Sequence, residues 1–121
     1  ILDQFEKPIN IAETTKYILI ATTKDQGKEI HSYFEANGNS DFLNAKGLIY
    51  VSELSSAPSF VTSTFMVPKF KKYGYSMGLV RDKDIAKTLP LRPSELTLIT
   101  VEEGDVKEIK YYKNLDFLKS L

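Results

Sequence analysis

The C-terminal third of the chain holds the pattern that most restricts the fold, two β-rich runs separated by a short polar turn. The runs are Leu96–Val101 and Val106–Tyr112, and residues 102–105, which include Gly104, lie between them. Such runs predict strands, and a short loop containing glycine predicts that the two strands pair as a β-hairpin. A fold for this chain therefore needs a sheet with an antiparallel pair at one edge.

Upstream runs have the pattern of strands that are buried on both faces. "KYILIA" is almost entirely apolar from Tyr17 to Ala21, and "GLIYVSEL" covers Gly47–Leu54. Continuous apolar runs of this length are typical of parallel strands covered on both sides. A third and shorter strand is predicted over Tyr75–Asp82, where Gly78 weakens the pattern.

Apolar residues at helical spacing fill the gaps between these strands. One helix is predicted to begin at about Asp25, with that residue as N-cap, and to end at Asn37-Gly38. A second is predicted from an N-cap at Ser56, with Pro68 expected to kink or end it. A last helix follows Asn114, its predicted cap.

These segments add up to one α/β domain over residues 1–121. After an N-terminal arm (Leu2–Ile11), the predicted order is β-α-β-α-β-β-α, a mixed sheet with helices on both faces in a three-layer sandwich. No run approaches the ~20 apolar residues of a membrane span, so membrane insertion is not expected.

The composition excludes several classes of chemistry. The chain has no cysteine, which removes disulfides, thiol catalysis and thiolate metal sites. Sixteen basic and sixteen acidic residues cancel, so the broad positive field of a nucleic-acid-binding protein is missing. Phosphate-binding, zinc-hydrolase and serine-hydrolase motifs are also missing. Neither a cofactor, nor a metal, nor a nucleic-acid partner is expected.

The loop after the first buried strand is the first half of a candidate ligand site. It consists of Thr22, Thr23, Lys24 and Asp25. Free backbone N–H groups at a helix start favour an anion, and Lys24 adds positive charge. The alternative is ordinary capping by Asp25 or Thr23 without any ligand.

The loop after the second buried strand, "SSAPSF", is the other half. It offers Ser55, Ser56 and Pro58. If the two strands are neighbours, their carboxyl ends meet at the sheet edge where open α/β proteins tend to bind ligands. Here too the alternative is a helix cap, formed by Ser56 with Pro58.

Two further features are interpreted as structural. His31 is the only histidine, and its neighbour Ser32 does not face it on a helix, so no catalytic residue is expected. "PKFKKYGY" (Pro68–Tyr75) mixes lysines with aromatic residues, as single-stranded nucleic-acid sites do. With so few cations, the end of an amphipathic helix is the preferred interpretation.

The opening "DQFEKPINI" resembles the N-terminal hairpin of redoxins, with Glu6 where that pattern has glycine. Together with "YILIATTKD" and "LIYVSELSSAPSFVTSTFMVPKFKKYGY", it makes the chain similar to small exported bacterial proteins of the thioredoxin-like superfamily. The resemblance implies a βαβ half followed by a ββα half. The superfamily's cysteines would fall at about Thr22 to Gln26, and its proline would precede the third strand. Both are missing, so thiol–disulfide or peroxidase activity is not expected.

The preferred function is therefore a non-catalytic binding or accessory protein on a thioredoxin-like fold without redox cysteines. Its partner would be an unidentified protein or a small ligand. Two alternatives stay open: a thiol-independent enzyme of unknown reaction, and an oligomerising subunit that pairs through the C-terminal hairpin edge. The start at Ile1 fits either a processed exported chain, periplasmic by the resemblance, or a trimmed one.

Overall fold

Six strands form one mixed sheet in the computed structural model, which describes residues 1–121. The strands are β1 (Leu2–Asp3), β2 (Tyr17–Ala21), β3 (Leu48–Glu53), β4 (Gly78–Val80), β5 (Leu96–Glu102) and β6 (Asp105–Tyr112). Their order across the sheet is β1-β4-β3-β2-β5-β6. The central three, β2, β3 and β4, run parallel, whereas β1 and the closing pair are antiparallel to their neighbours. The predicted α/β class and mixed sheet are confirmed.

The helices differ in length and in regularity. They are α1 (Lys24–Ala36), α2 (Ser40–Lys46), α3 (residues 59–70), α4 (Lys83–Ala86) and a terminal 3₁₀ helix (Asp116–Ser120). The longest, α1, has 13 residues, and no helix has both the length and the apolar character needed to cross a membrane. Helix α3 contains a π-helical turn, Thr62–Met66, between two α-helical stretches.

The β5–β6 hairpin confirms the strongest local pattern in the sequence. Only Glu103 and Gly104 separate the strands, and both have positive φ angles of 53° and 82°. Two central residues with positive φ give the turn a twist that matches the twist of the paired strands. The loop is thus two residues long, shorter than the four predicted.

The helices are distributed unequally over the two faces of the sheet. The larger core cluster lies on one face and includes residues of α1, α2, α3 and the terminal helix, such as Phe34, Leu43, Phe70 and Leu118. The other face is covered by α4 and the segment that follows it, through Ala86, Leu89 and Leu91. Right-handed crossovers that step from β2 to β3 to β4 in one direction place α1 and α3 on the same side. Helices therefore cover both faces of the sheet, as expected, but most of them lie on one face.

The order of elements also differs from the predicted β-α-β-α-β-β-α. That order counts one strand too few, since all five strands after β1 fall within or close to runs predicted as strands, and α4 between β4 and the closing hairpin is a helix that was not predicted. The predicted third strand, Tyr75–Asp82, shrinks to Gly78–Val80. Its first residues instead bond to the N-terminal arm, because the Gln4 side chain accepts the Met77 N–H and donates to the Tyr75 carbonyl.

The N-terminal arm makes a tight turn that brings Leu2 and Pro8 together in an isolated antiparallel bridge. Glu6 has a φ of 61°, and the redoxin pattern has glycine at this position. Gln4 is 1 % exposed and also donates to the Phe70 carbonyl at the end of α3. The arm therefore secures the end of α3 against the sheet edge.

Pro68 does not end the helix that contains it. The residue before a proline usually avoids helical geometry, but Val67 has φ −60° and ψ −46° and donates to the Thr62 carbonyl five residues earlier. A proline removes one backbone donor and crowds the preceding turn. The wider π turn just before Pro68 leaves room for the ring, so α3 continues to Phe70.

Candidate functional site

The carboxyl ends of β2 and β3 bring the two polar loops side by side. The strands pair in parallel, with Ala21 opposite Ser52, so the loops that begin at Thr22 and Leu54 are neighbours. Both loops border one cavity of about 490 Å³, which also extends under α3. That volume falls within the range of small-molecule sites.

The predicted site residues divide into two groups around this cavity. Thr22, Thr23, Lys24 and Ser56 line it, together with Ala57 of the second loop. The other three predicted residues, Asp25, Ser55 and Pro58, do not line it. The backbone N–H of Ser55 instead donates to Glu53 Oε1 at 2.6 Å, which fixes the start of the second loop.

The start of α1 is capped by side chains of the helix start itself. Its N-cap is Thr23 rather than Asp25: the Thr23 hydroxyl accepts the Gln26 N–H at 3.2 Å. In return Gln26 Oε1 accepts the N–H groups of Thr22 and Thr23. This is a capping box, signalled in the sequence by Thr-x-x-Gln. The capping box occupies the N–H groups of Thr22, Thr23 and Gln26, and the docking of an anion at this helix start stays a prediction.

Positive charge reaches the cavity from lysine side chains. Lys24 and Lys28 of α1 and Lys69 of α3 line it and are exposed. None of the three takes part in an ion pair; the pairs in the structure lie elsewhere. The one acidic residue in the lining is Glu53, so the mouth carries a net positive charge.

The interior of the cavity is apolar and rich in aromatic rings. Ten of its nineteen lining residues are hydrophobic, which makes burial of apolar surface the main source of affinity for any ligand. Thioethers and aromatic rings adapt to flat ligands by stacking and edge contacts. The large apolar lining residues are Leu54, Phe65, Met66, Phe70 and Met77, and the lining tyrosines are Tyr50, Tyr73 and Tyr75.

Gly27 leaves space at the wall that α1 presents to the cavity. A Cβ at this position would lie 3.7 Å from the Tyr50 hydroxyl oxygen, an ordinary contact distance. Alanine therefore fits, whereas a longer side chain extends into the cavity. Glycine weakens a helix by about 1 kcal/mol relative to alanine.

His31 has the partners that the sequence did not reveal. Its Nδ1 lies 2.9 Å from the Tyr75 hydroxyl, and its Nε2 lies 3.6 Å from a carboxylate oxygen of Glu35. The ring also stacks on Tyr73, with centroids 3.7 Å apart. With the Nε2 proton directed at Glu35, Nδ1 accepts the Tyr75 proton, and the Tyr75 oxygen keeps lone pairs for a donor on a ligand.

Burial keeps the tyrosines of the cavity protonated. Desolvation raises the pKa of Tyr50 well above that of a free phenol, and the neighbouring Ser52 side chain offsets this only in part. Desolvation is also the main reason that the pKa of Tyr75 is raised, helped by Tyr50, Tyr73 and Glu35. The phenols are therefore neutral hydrogen-bonding groups at ordinary pH.

Sequence reasoning missed this inner half of the site for an identifiable reason. His31 and Tyr75 are 44 residues apart, and no local pattern links a helix residue to one that precedes a distant strand. The interpretation of Pro68–Tyr75 as the end of an amphipathic helix gives Tyr73 and Tyr75 no role in a site. One local signal was available, the glycine inside a predicted helix, which often marks a close approach or a space.

No known protein family matches this chain when its sequence is scanned against family models, and a search of curated proteins finds no match either. The functional argument therefore depends on the geometry. Within that geometry, no cluster of three or more histidine, aspartate or glutamate side chains is placed to hold a metal ion.

Proposed function

We propose that this chain is a small-molecule-binding protein whose cavity takes an apolar, aromatic compound that carries an anionic group. The observation behind the proposal is the combination of an aromatic interior with three unpaired lysines at the mouth. The rings would contact the ligand's apolar body, and Lys24, Lys28 and Lys69 would face its charge.

The hydrogen-bonding groups favour binding over catalysis. Phenols with raised pKa values are poor nucleophiles and bases at neutral pH, so Tyr50 and Tyr75 suit ligand recognition better than turnover. Tyr75, held by His31, would orient a ligand that carries a hydroxyl or amine donor at its inner end.

The thioredoxin-like relationship is part of the proposal. The β2-α1-β3 unit and the β5–β6 hairpin followed by a short helix support it. The placement of α1 and α3 on the same face of the sheet differs from the two-sided sandwich that this relationship implies. Export from the cell is proposed on the resemblance alone, and fractionation of the source cells tests it.

A titration with 1-naphthoate, an aromatic carboxylate, tests the binding function. We expect saturable binding by calorimetry, weakened several-fold when the uncharged 1-naphthalenemethanol replaces the carboxylate, because exposed charge pairs contribute up to about 1 kcal/mol each. Lys24→Ala with Lys69→Ala should reduce the preference for the anion, while exposed Lys87→Ala, away from the cavity, serves as control.

Substitution of Gly27 tests whether the ligand binds in the cavity or on another surface. Gly27→Leu should fold, because leucine favours helix, but should abolish naphthoate binding by filling the space beside Tyr50. Gly27→Ala is the matched variant and should retain binding. Equal binding by the leucine variant and the wild type would place the ligand elsewhere and overturn the proposal.

A further inference from the structure

The outer edge of β6 is a long strand edge without a partner. The strand has eight residues, and its inner edge pairs with β5 from end to end, with one bulge at Lys107. Its first six residues are exposed. The opposite edge of the sheet is formed by β1, which has only two residues. An exposed strand of this length is a template for another strand.

A second copy of β6 is the partner whose fit can be worked out from the sequence. In an antiparallel pair, facing side chains lie on the same side of the sheet. In a pair with two-fold symmetry, the helices of both copies lie on the same side of the joined sheet only if one residue faces its own copy across the axis. Near the middle of the strand, that residue is Glu108, Ile109 or Lys110.

Charge decides among these three registers. An axis at Glu108 puts two carboxylates opposite each other, and an axis at Lys110 puts two ammonium groups together. An axis at Ile109 places each Glu108 opposite Lys110 of the second copy. Opposite charges across an antiparallel pair stabilise it, and like charges destabilise it.

The central side chains agree with the Ile109 register. Glu108 and Lys110 lie on the same side of the strand, with 3.3 Å between the ammonium nitrogen and a carboxylate oxygen. Two facing copies would therefore form one cluster of four alternating charges. Ile109, 39 % exposed, faces its own counterpart on the other side, which gives the contact an apolar centre. The bulge at Lys107 lies outside this central stretch.

We propose that this chain forms a homodimer by antiparallel pairing of β6 with β6 of a second copy, centred on Ile109. The two sheets join into one continuous sheet, with the cavities at a distance from the new contact. Lysines on an edge strand commonly prevent pairing. Here Lys110 opposes the register centred on itself, Glu108 opposes the register centred on itself, and the register centred on Ile109 is complementary.

A charge-swap experiment tests the register directly. The wild type should dimerise in sedimentation equilibrium, and Glu108→Lys or Lys110→Glu should each raise the dimer dissociation constant about tenfold or more, since each puts two like-charge pairs opposite each other. An equimolar mixture of the two single variants should form a heterodimer, because the two lysines of one variant then face the two glutamates of the other. The double variant E108K/K110E should dimerise like the wild type.

Two controls distinguish weakened dimerisation from unfolding and from a general change in surface charge. Circular dichroism should show that both single variants fold, since exposed residues contribute little to stability. Glu29→Lys, an exposed change of the same type on α1, should leave dimerisation unchanged. A wild-type monomer throughout the concentration range, or a dimer that neither single swap weakens, would overturn the proposal.

Discussion

The two helix starts that border the cavity differ in how they are held. The start of α1 has a capping box, Thr23 with Gln26, and Gln26 also donates to the Ser94 carbonyl. The start of α3 follows Pro58 and has no side-chain cap, and a π turn comes three residues later. One start is fixed by side-chain hydrogen bonds, whereas the other has only backbone hydrogen bonds, from Val61 and Thr62 to the Pro58 carbonyl.

The same contrast appears in how the two helices pack. In α1, Ile30 and Phe34 are completely buried. In α3, Phe60 and Phe65 are more than 60 % exposed, and Phe70 is the buried apolar side chain. A regular helix packs closely on the sheet, whereas an irregular one leaves space beneath it. The cavity is thus a consequence of how α3 is built.

The largest expected effect on stability comes from comparing the loss of one phenylalanine from each helix. Phe34→Ala should lower the free energy of unfolding by about 3–5 kcal/mol, because it removes a completely buried ring. Phe65→Ala should change it by less than about 0.5 kcal/mol, since that ring is mostly in solvent. Urea unfolding of both variants measures the difference, and equal losses would mean that α3 packs as tightly as α1.

Alkaline pH should weaken the fold through the tyrosines of the cavity wall. Tyr50 and Tyr75 have pKa values raised by burial, so above about pH 10 the unfolded chain loses protons that the folded chain keeps. Stability is therefore complete below that pH and falls as pH rises, by at most ~1.4 kcal/mol per pH unit for each phenol.

Unfolding at a series of pH values, with and without Tyr50→Phe, checks this dependence. The phenylalanine variant should show a smaller decline above pH 10, because one buried phenol has been removed. Tyr111→Phe on the edge strand is the comparison variant. An identical decline in the wild type and in Tyr50→Phe would contradict the burial of that hydroxyl as the cause.

The smallest expected effect concerns the two loop residues proposed as caps. Thr23→Ala should cost about 1 kcal/mol, the usual value for a lost N-cap. Ser56→Ala should cost almost nothing, because Ser56 makes no capping hydrogen bond. Thermal unfolding of the pair measures this, and a larger loss for Ser56→Ala would show that α3 has a cap after all.

Local patterns predicted much of this fold from the sequence. The β5–β6 hairpin, the strands β2 and β3 and the end of α1 near Asn37 follow from periodicity and turn residues, which act over a few positions. The one-sided packing of helices does not, since it depends on the direction in which successive strands are added. The π turn that accommodates Pro68 is likewise set by packing.

The candidate site likewise has one part that local patterns predicted and one part that they did not. Proximity of the two loops was predictable from the rule that carboxyl ends of parallel strands meet at one edge. The contact of His31 with Tyr75 was not, because the arm residue Gln4 holds the segment before β4 through long-range hydrogen bonds. Local signals thus predicted the rim of the cavity and not its interior.

The measurement that tests the central claim most directly is an amide chemical-shift map of the ¹⁵N-labelled protein titrated with 1-naphthoate. We predict saturable shifts confined to residues 22–28, 50–57 and 61–77, the segments that line the cavity. The β6 strand, far along the sheet from β3 and α3, should be unaffected. No shifts at millimolar ligand, or shifts centred on another surface, would contradict the claim that this cavity is the binding site.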